Sequence, residues 1–205
     1  AMNQKISVLS RLRYSPLNGH LVVIRRCNLS CGYCNEYDKV SQPVLMSDLK
    51  KRVDKLAELG TYSITLTGGE PLLHPGIAKI VKYAKNKIPL VTMISNSYLL
   101  TEQVVEQLND AGLNAMQISV DGVEPNKVTV KVLKPNRWRL EMLAKAAKFR
   151  INLNSVIGAT NPEEALEVIK FGKKLGFTTT IGLIHDSAGR IKLSKKVAPI
   201  RLRTA

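Results

Sequence analysis

The chain predicts a parallel α/β fold, and three observations carry that prediction. Six short apolar or β-branched runs recur, at residues 21–26, 63–67, 90–95, 115–120, 151–156 and 178–184. Their hydrophobicity is near-continuous, as a parallel strand covered on both faces requires. Segments of helical period lie between them, and the unusual polar and glycine residues fall at the ends of the runs. Strand then helix, repeated six times, curls into either an open barrel or a doubly wound sheet, and the pattern alone does not separate the two. In both, ligands gather at the carboxyl ends of the strands.

The intervening segments read as helices with defined ends. Ser47 is placed to cap the first, which carries Leu49, Val53 and Leu56 on one face and closes at Gly60. Pro75 opens the second, with Ile77, Ile80, Val81 and Ala84 inward. Thr101 caps the third, with Val104, Leu108 and Ala111 inward and Gly112 at its end; the fourth follows Pro135, with Leu140, Leu143, Ala144 and Ala147. In the fifth, Asn161-Pro162-Glu163-Glu164 reads as cap, first-turn proline and capping-box glutamate, with Gly176 as the stop. The organisation expected is a basic leader over 1–20, a core domain over 21–186 and a basic tail over 187–205.

The 205 residues, 44 % of them apolar, suit one domain with a real core. No apolar run approaches the roughly 18 residues that span a bilayer, and Arg11, Arg13 and Asn18 interrupt any leader-peptide core. Lys and Arg number 31 against 16 Asp and Glu, a net charge of +15. That field favours an anionic partner: nucleic acid, an acidic membrane surface or a phosphorylated ligand. One Trp, three Phe and six Tyr, scattered, are too few to stack a run of bases, which argues against nucleic acid. Arg190, Lys192, Lys195, Lys196, Arg201 and Arg203 form a carboxyl-terminal run without a single acid. A solvated tail explains it as well as a binding role does.

Cys27, Cys31 and Cys34 are the only cysteines, spaced C-x3-C-x2-C directly after the first strand. Three thiolates so placed can ligate three irons of a four-iron cluster and leave the fourth open to chemistry. Zinc with His20 or His74 as fourth ligand is the alternative, although structural zinc sites are usually built from two spaced pairs. No thiol is left over for a disulfide, which points to a reducing cytoplasm. Gly68-Gly69-Glu70-Pro71 follows the second strand, and Ser95 and Asn96 end the third. Ser119 and Asp121 end the fourth, Asn154 and Ser155 lie on the fifth, and His185 closes the sixth.

With its C-x3-C-x-aromatic-C loop and its Gly-Gly-Glu-Pro turn, the chain resembles the radical S-adenosylmethionine (SAM) enzymes, in order from about Leu21 to Asp186. The resemblance implies a six-unit partial (β/α) barrel, a single [4Fe–4S] cluster on the three cysteines, and SAM on the open iron. It further implies that Gly68 and Gly69 admit the methionine moiety and that the Glu70 carboxylate accepts from its ammonium. The backbone of Tyr33 would lie beside the adenine. Ser95, Asn96, Ser119 and Asn154 would serve the ribose hydroxyls and the methionine carboxylate, with Asp121 and Ser155 also among the cofactor-binding residues. Reductive cleavage of SAM would release a 5′-deoxyadenosyl radical that abstracts hydrogen from, or adds to, a substrate, with a flavodoxin- or ferredoxin-type donor supplying the electron.

Three departures qualify the resemblance. No further cysteines exist here for the extra clusters of SPASM-type members, and a substrate-closing domain is expected to be absent or cut away, since only a basic tail follows the sixth strand. The loop after Asp121 lacks the His and Arg-Gly of many relatives and offers Lys127, Lys131 and Lys134 instead, leaving open which cation meets the SAM carboxylate. The stretch Cys34-Asn-Glu-Tyr-Asp-Lys is loosely similar to hopanoid-type adenosyl transferases. A lipid substrate met at an acidic membrane surface would suit the basic fourth helix, with Arg137, Trp138 and Arg139, as would an ordinary solvated helix face. A cluster- or zinc-stabilised interaction protein without SAM chemistry remains the rival class.

Overall fold

A computed structural model describes residues 15–34 and 37–184. Six parallel strands form one sheet: β1 (Asn18–Ile24), β2 (Ser63–Gly68), β3 (Leu90–Ser95), β4 (Ala115–Ser119), β5 (Arg150–Ile157) and β6 (Thr178–Leu183). Each pairs with the next in the order β1-β2-β3-β4-β5-β6. A doubly wound sheet would reverse its order part-way, so the alternative left open by the sequence resolves to a singly wound, open (β/α)6 partial barrel. The first strand starts earlier than the apolar run does, because Asn18, Gly19 and His20 pair with Ser63, Ile64 and Thr65 despite their polarity. It also ends before Arg25, where the register shifts beside Ile24 and Gly68.

Five helices connect the strands: α1 (Met46–Glu58), α2 (Ile77–Lys85), α3 (Glu102–Asp110), α4 (Leu133–Ala146) and α5 (Pro162–Lys174). Thr101 accepts from the Val104 amide and Asn161 from the Glu164 amide, as their positions predict. Three expected helix starts are displaced. Leu45 occupies the cap of α1 and Ser47 lies inside the first turn, because the chain enters extended through Val44, whose amide bonds to Val23. Gly76, not Pro75, caps α2, after a single 3-10 turn at Pro71–Leu73. α4 begins at Leu133, so Pro135 sits in its first turn, where no amide hydrogen is needed. On α3 the buried face is Val105 and Leu108, with Val104 only partly covered.

The core is a continuous layer between sheet and helices, including Ile64, Leu66, Val91, Met93, Met116, Ile118, Leu108 and Leu140. No strand β6 residue belongs to it. Among the described residues no helix is long and apolar enough to cross a membrane.

Candidate active site at the carboxyl ends of the strands

A cleft opens where the strands end, lined by Cys27, Cys31, Cys34, Gly68, Gly69, Ser95, Asn96 and Ser119 of the predicted set, and by Leu29, Tyr37, Ile94 and Lys131. All three thiols are free. They ring the cleft without closing on one point: among the described residues no three His, Cys, Asp or Glu side chains converge as a ligand set for one ion. His74 donates from Nε2 to the Val44 carbonyl at 2.9 Å and accepts at Nδ1 from the Gly76 amide at 3.0 Å, so it is committed to the entry of α2. His20 lies on β1 and does not line the cleft.

The cysteine loop is fixed by its neighbours before any ligand enters. The Cys27 amide bonds to the Asp38 carbonyl at 3.1 Å and the Gly32 amide to the Val128 carbonyl at 2.8 Å. The Leu29 amide meets the Cys27 sulfur at 3.4 Å, and the Thr129 hydroxyl lies 3.9 Å from the Cys31 sulfur. Burial pushes the Cys27 thiol up, against the lowering effect of that Leu29 amide.

Gly68 and Gly69 owe their identity to the backbone of β1. Gly68 has φ +139°, and a Cβ there would strike the Ile24 carbonyl; one at Gly69 would strike those of Arg25 and Arg26. The tight approach lets the Gly69 amide bond to Ile24 at 2.9 Å and the Glu70 amide to Arg26 at 3.0 Å, directly before Cys27. The two glycines dock the second turn on the cysteine loop, and both also line the cleft.

Five predicted residues do not line the cleft. Glu70 is fully buried. Its carboxylate accepts from the Leu72 amide at 3.1 Å, the Ser95 hydroxyl at 2.9 Å and the Asn96 amide at 2.7 Å. It straps the end of β2 to the end of β3. Burial raises it to about 7 against the help of those donors. Asp121 is also fully buried. Its Oδ2 accepts from the Tyr33 hydroxyl at 2.9 Å and the Thr129 hydroxyl at 2.6 Å, and lies 3.7 Å from the Lys131 ammonium. Tyr33 is thus turned to β4, and its phenol is raised by burial and by the Asp121 charge. Ser155 donates to the Asp121 carbonyl at 2.7 Å, and Asn154 accepts from Thr180 at 2.8 Å.

On the cleft wall itself, Asn96 donates to Asn28 at 2.8 Å and reaches within 3.8 Å of the Cys27 sulfur. Of the three lysines that the sequence leaves as candidates, Lys131 alone lines the cleft, with its ammonium 4.8 Å from the Tyr33 ring centre. Lys134 pairs outside with Glu124 at 2.7 Å, and Lys127 is exposed. Thr129, Asn28 and Tyr37 carry no spacing signal; the fold of their loops brings them in. His185 and the basic tail lie outside the described residues.

The family profile of the radical SAM superfamily matches residues 21–185. The chain belongs to the radical SAM superfamily. A [4Fe–4S] cluster and SAM are that family's cofactors, and the thiol ring with its open cleft fits them. The chain is 28 % identical over 181 residues to the AdoMet-dependent heme synthase of Methanosarcina barkeri, covering 84 % of this chain and 52 % of that protein. It is 31 % identical over 180 residues to the GTP 3′,8-cyclase of Aquifex aeolicus, covering 78 % and 56 %. In fold it is similar to Streptococcus suis SuiB bound to S-adenosylmethionine, with a TM-score of 0.72, 18 % identity and coverage of 89 % and 44 %. The chain spans about half the length of the curated relatives it matches.

Proposed function

We propose that this chain is the catalytic core of a radical SAM enzyme, with Cys27, Cys31 and Cys34 as cluster ligands. The observation that supports this most directly is the convergence of three free thiols, the Gly68–Gly69 backbone and the neutral Asn96 and Ser119 side chains on one cleft. With cluster and SAM bound, one-electron reduction would yield a 5′-deoxyadenosyl radical, chemistry that belongs to the cofactors. The protein positions and shields. Lys131, its side chain 17 % exposed, supplies the cation for the SAM carboxylate, and Asp121 and the Tyr33 ring hold it in place. Ser119 and Asn96 offer hydroxyl and amide groups to the ribose and the methionine end. Ser95 lines the cleft and holds Glu70, while Glu70, Asp121, Tyr33 and Ser155 keep those groups aligned, and Asn154 marks the β5 side of the site.

A reductant and a substrate complete the reaction; a flavodoxin- or ferredoxin-type donor and an anionic substrate suit the charge of +15. Relatives named for heme, GTP and peptide chemistry share this core, so its fold does not select a substrate.

Anaerobic reconstitution is the test. A brown protein with about four irons per chain, giving 5′-deoxyadenosine with dithionite and SAM, is expected. Cys31→Ala should lose both colour and cleavage. A colourless, zinc-loaded protein that leaves SAM intact would overturn the proposal.

A further inference from the structure

The cysteine loop is stapled from outside by a residue that no feature of the ligand motif requires. The Lys39 ammonium donates to the Cys27 carbonyl at 3.0 Å and the Leu29 carbonyl at 2.7 Å. These two carbonyls bracket the turn in which the Leu29 amide meets the Cys27 sulfur at 3.4 Å. The backbone of Lys39 is held there too: Asp38 bonds from its amide to Arg25 at 3.0 Å and accepts from the Cys27 amide at 3.1 Å, forming a parallel bridge with Arg26. The Asp38 carboxylate is occupied by the Val40 amide at 3.0 Å, the Ser41 amide at 2.8 Å and the Ser41 hydroxyl. Its charge is thereby spent on its own turn rather than on Lys39.

Two physical effects follow. Closing the turn keeps an amide hydrogen on a ligand sulfur, and hydrogen bonds to sulfur raise the reduction potential of an iron–sulfur cluster. A fixed positive charge one residue's width from the ligand favours the reduced cluster, which carries one more negative charge. We propose that Lys39 is a positioning residue that holds the Cys27–Leu29 turn and sets the potential of the cluster bound there. This rests on the radical SAM reading above.

Redox titration of the reconstituted full chain, followed by electron paramagnetic resonance without substrate, tests it. In Lys39→Met the ratio of reduced to oxidised cluster at a fixed potential should fall about tenfold, which for a one-electron couple is about 59 mV. Lys39→Gln keeps a donor without the charge and should hold iron while showing most of that fall; Lys39→Arg should stay near the parent. An iron-loaded Lys39→Met with the parent potential would overturn the proposal, as would an Arg variant shifted as far as Met. If Lys39→Met does not retain iron, the Gln variant decides: the parent potential there sinks the charge effect. A parent chain that binds no four-iron cluster would sink the radical SAM reading itself, a separate failure.

Discussion

The Glu70 carboxylate is fully buried and accepts from three donors. Removing it as Glu70→Ala strands those donors, at about 1–3 kcal/mol each, and should cost roughly 3 kcal/mol or more in urea unfolding of the metal-free chain. Its titration has a definite sign. The folded value of about 7 lies above the ordinary 4.5, so between them the folded chain holds a proton that the unfolded chain releases. Stability from this group is present in full below about 4.5 and falls as pH rises to about 7, by roughly 3 kcal/mol. Thermal unfolding of the metal-free chain from pH 4 to 8 should show that decline, and Glu70→Gln should flatten it. An equal slope in both proteins would remove Glu70 as its source. The sequence marks Glu70 as special, yet not in which direction its carboxylate points; only its neighbours on β3 decide that.

At the scale of elements, the two glycines show how a strand-end turn and a metal loop become one unit. Gly69→Ala would drive a methyl into the Arg25 and Arg26 carbonyls, in backbone that cannot yield without moving Cys27. The expected outcome is a loss of about 3 kcal/mol and a lower iron content after reconstitution, read by urea unfolding and iron analysis. Unchanged iron content would mean that the turn does not position the loop. Helix existence was legible from periodicity, and two of the caps, Thr101 and Asn161, were legible from residue type. The starts of α1, α2 and α4 were not, because proline and serine tolerate several first-turn positions and the approach of the preceding loop selects among them. Glu164 illustrates the same point. It reads as a capping-box partner, but one of its oxygens accepts from the Asn161 side chain and the other from the Val123 and Glu124 amides of the loop after β4.

Across the whole molecule, burial is uneven. Strands β2, β3 and β4 are flanked on both edges and contribute Ile64, Leu66, Val91, Met93, Met116 and Ile118 to the core. Among the described residues β6 pairs with β5 alone, and its Ile181 and Leu183 are about half exposed. Hydrogen exchange of the metal-free chain should therefore find β2–β4 amides the slowest and β6 amides the fastest of the sheet. Comparable protection in β6 and β3 would show a stability that the burial does not account for. The sequence by itself determined the parallel α/β class, the three clustered thiols and the polar strand ends, since period, spacing and residue chemistry are local. The tertiary structure decided that the strands run in order as an open barrel. It also decided which strand-end groups line the cleft and which do not, and that Lys131 is the lysine turned inward and Lys39 the one across the cysteine loop. Those outcomes depend on which backbones meet across ten or more residues of chain, and no local pattern encodes that meeting.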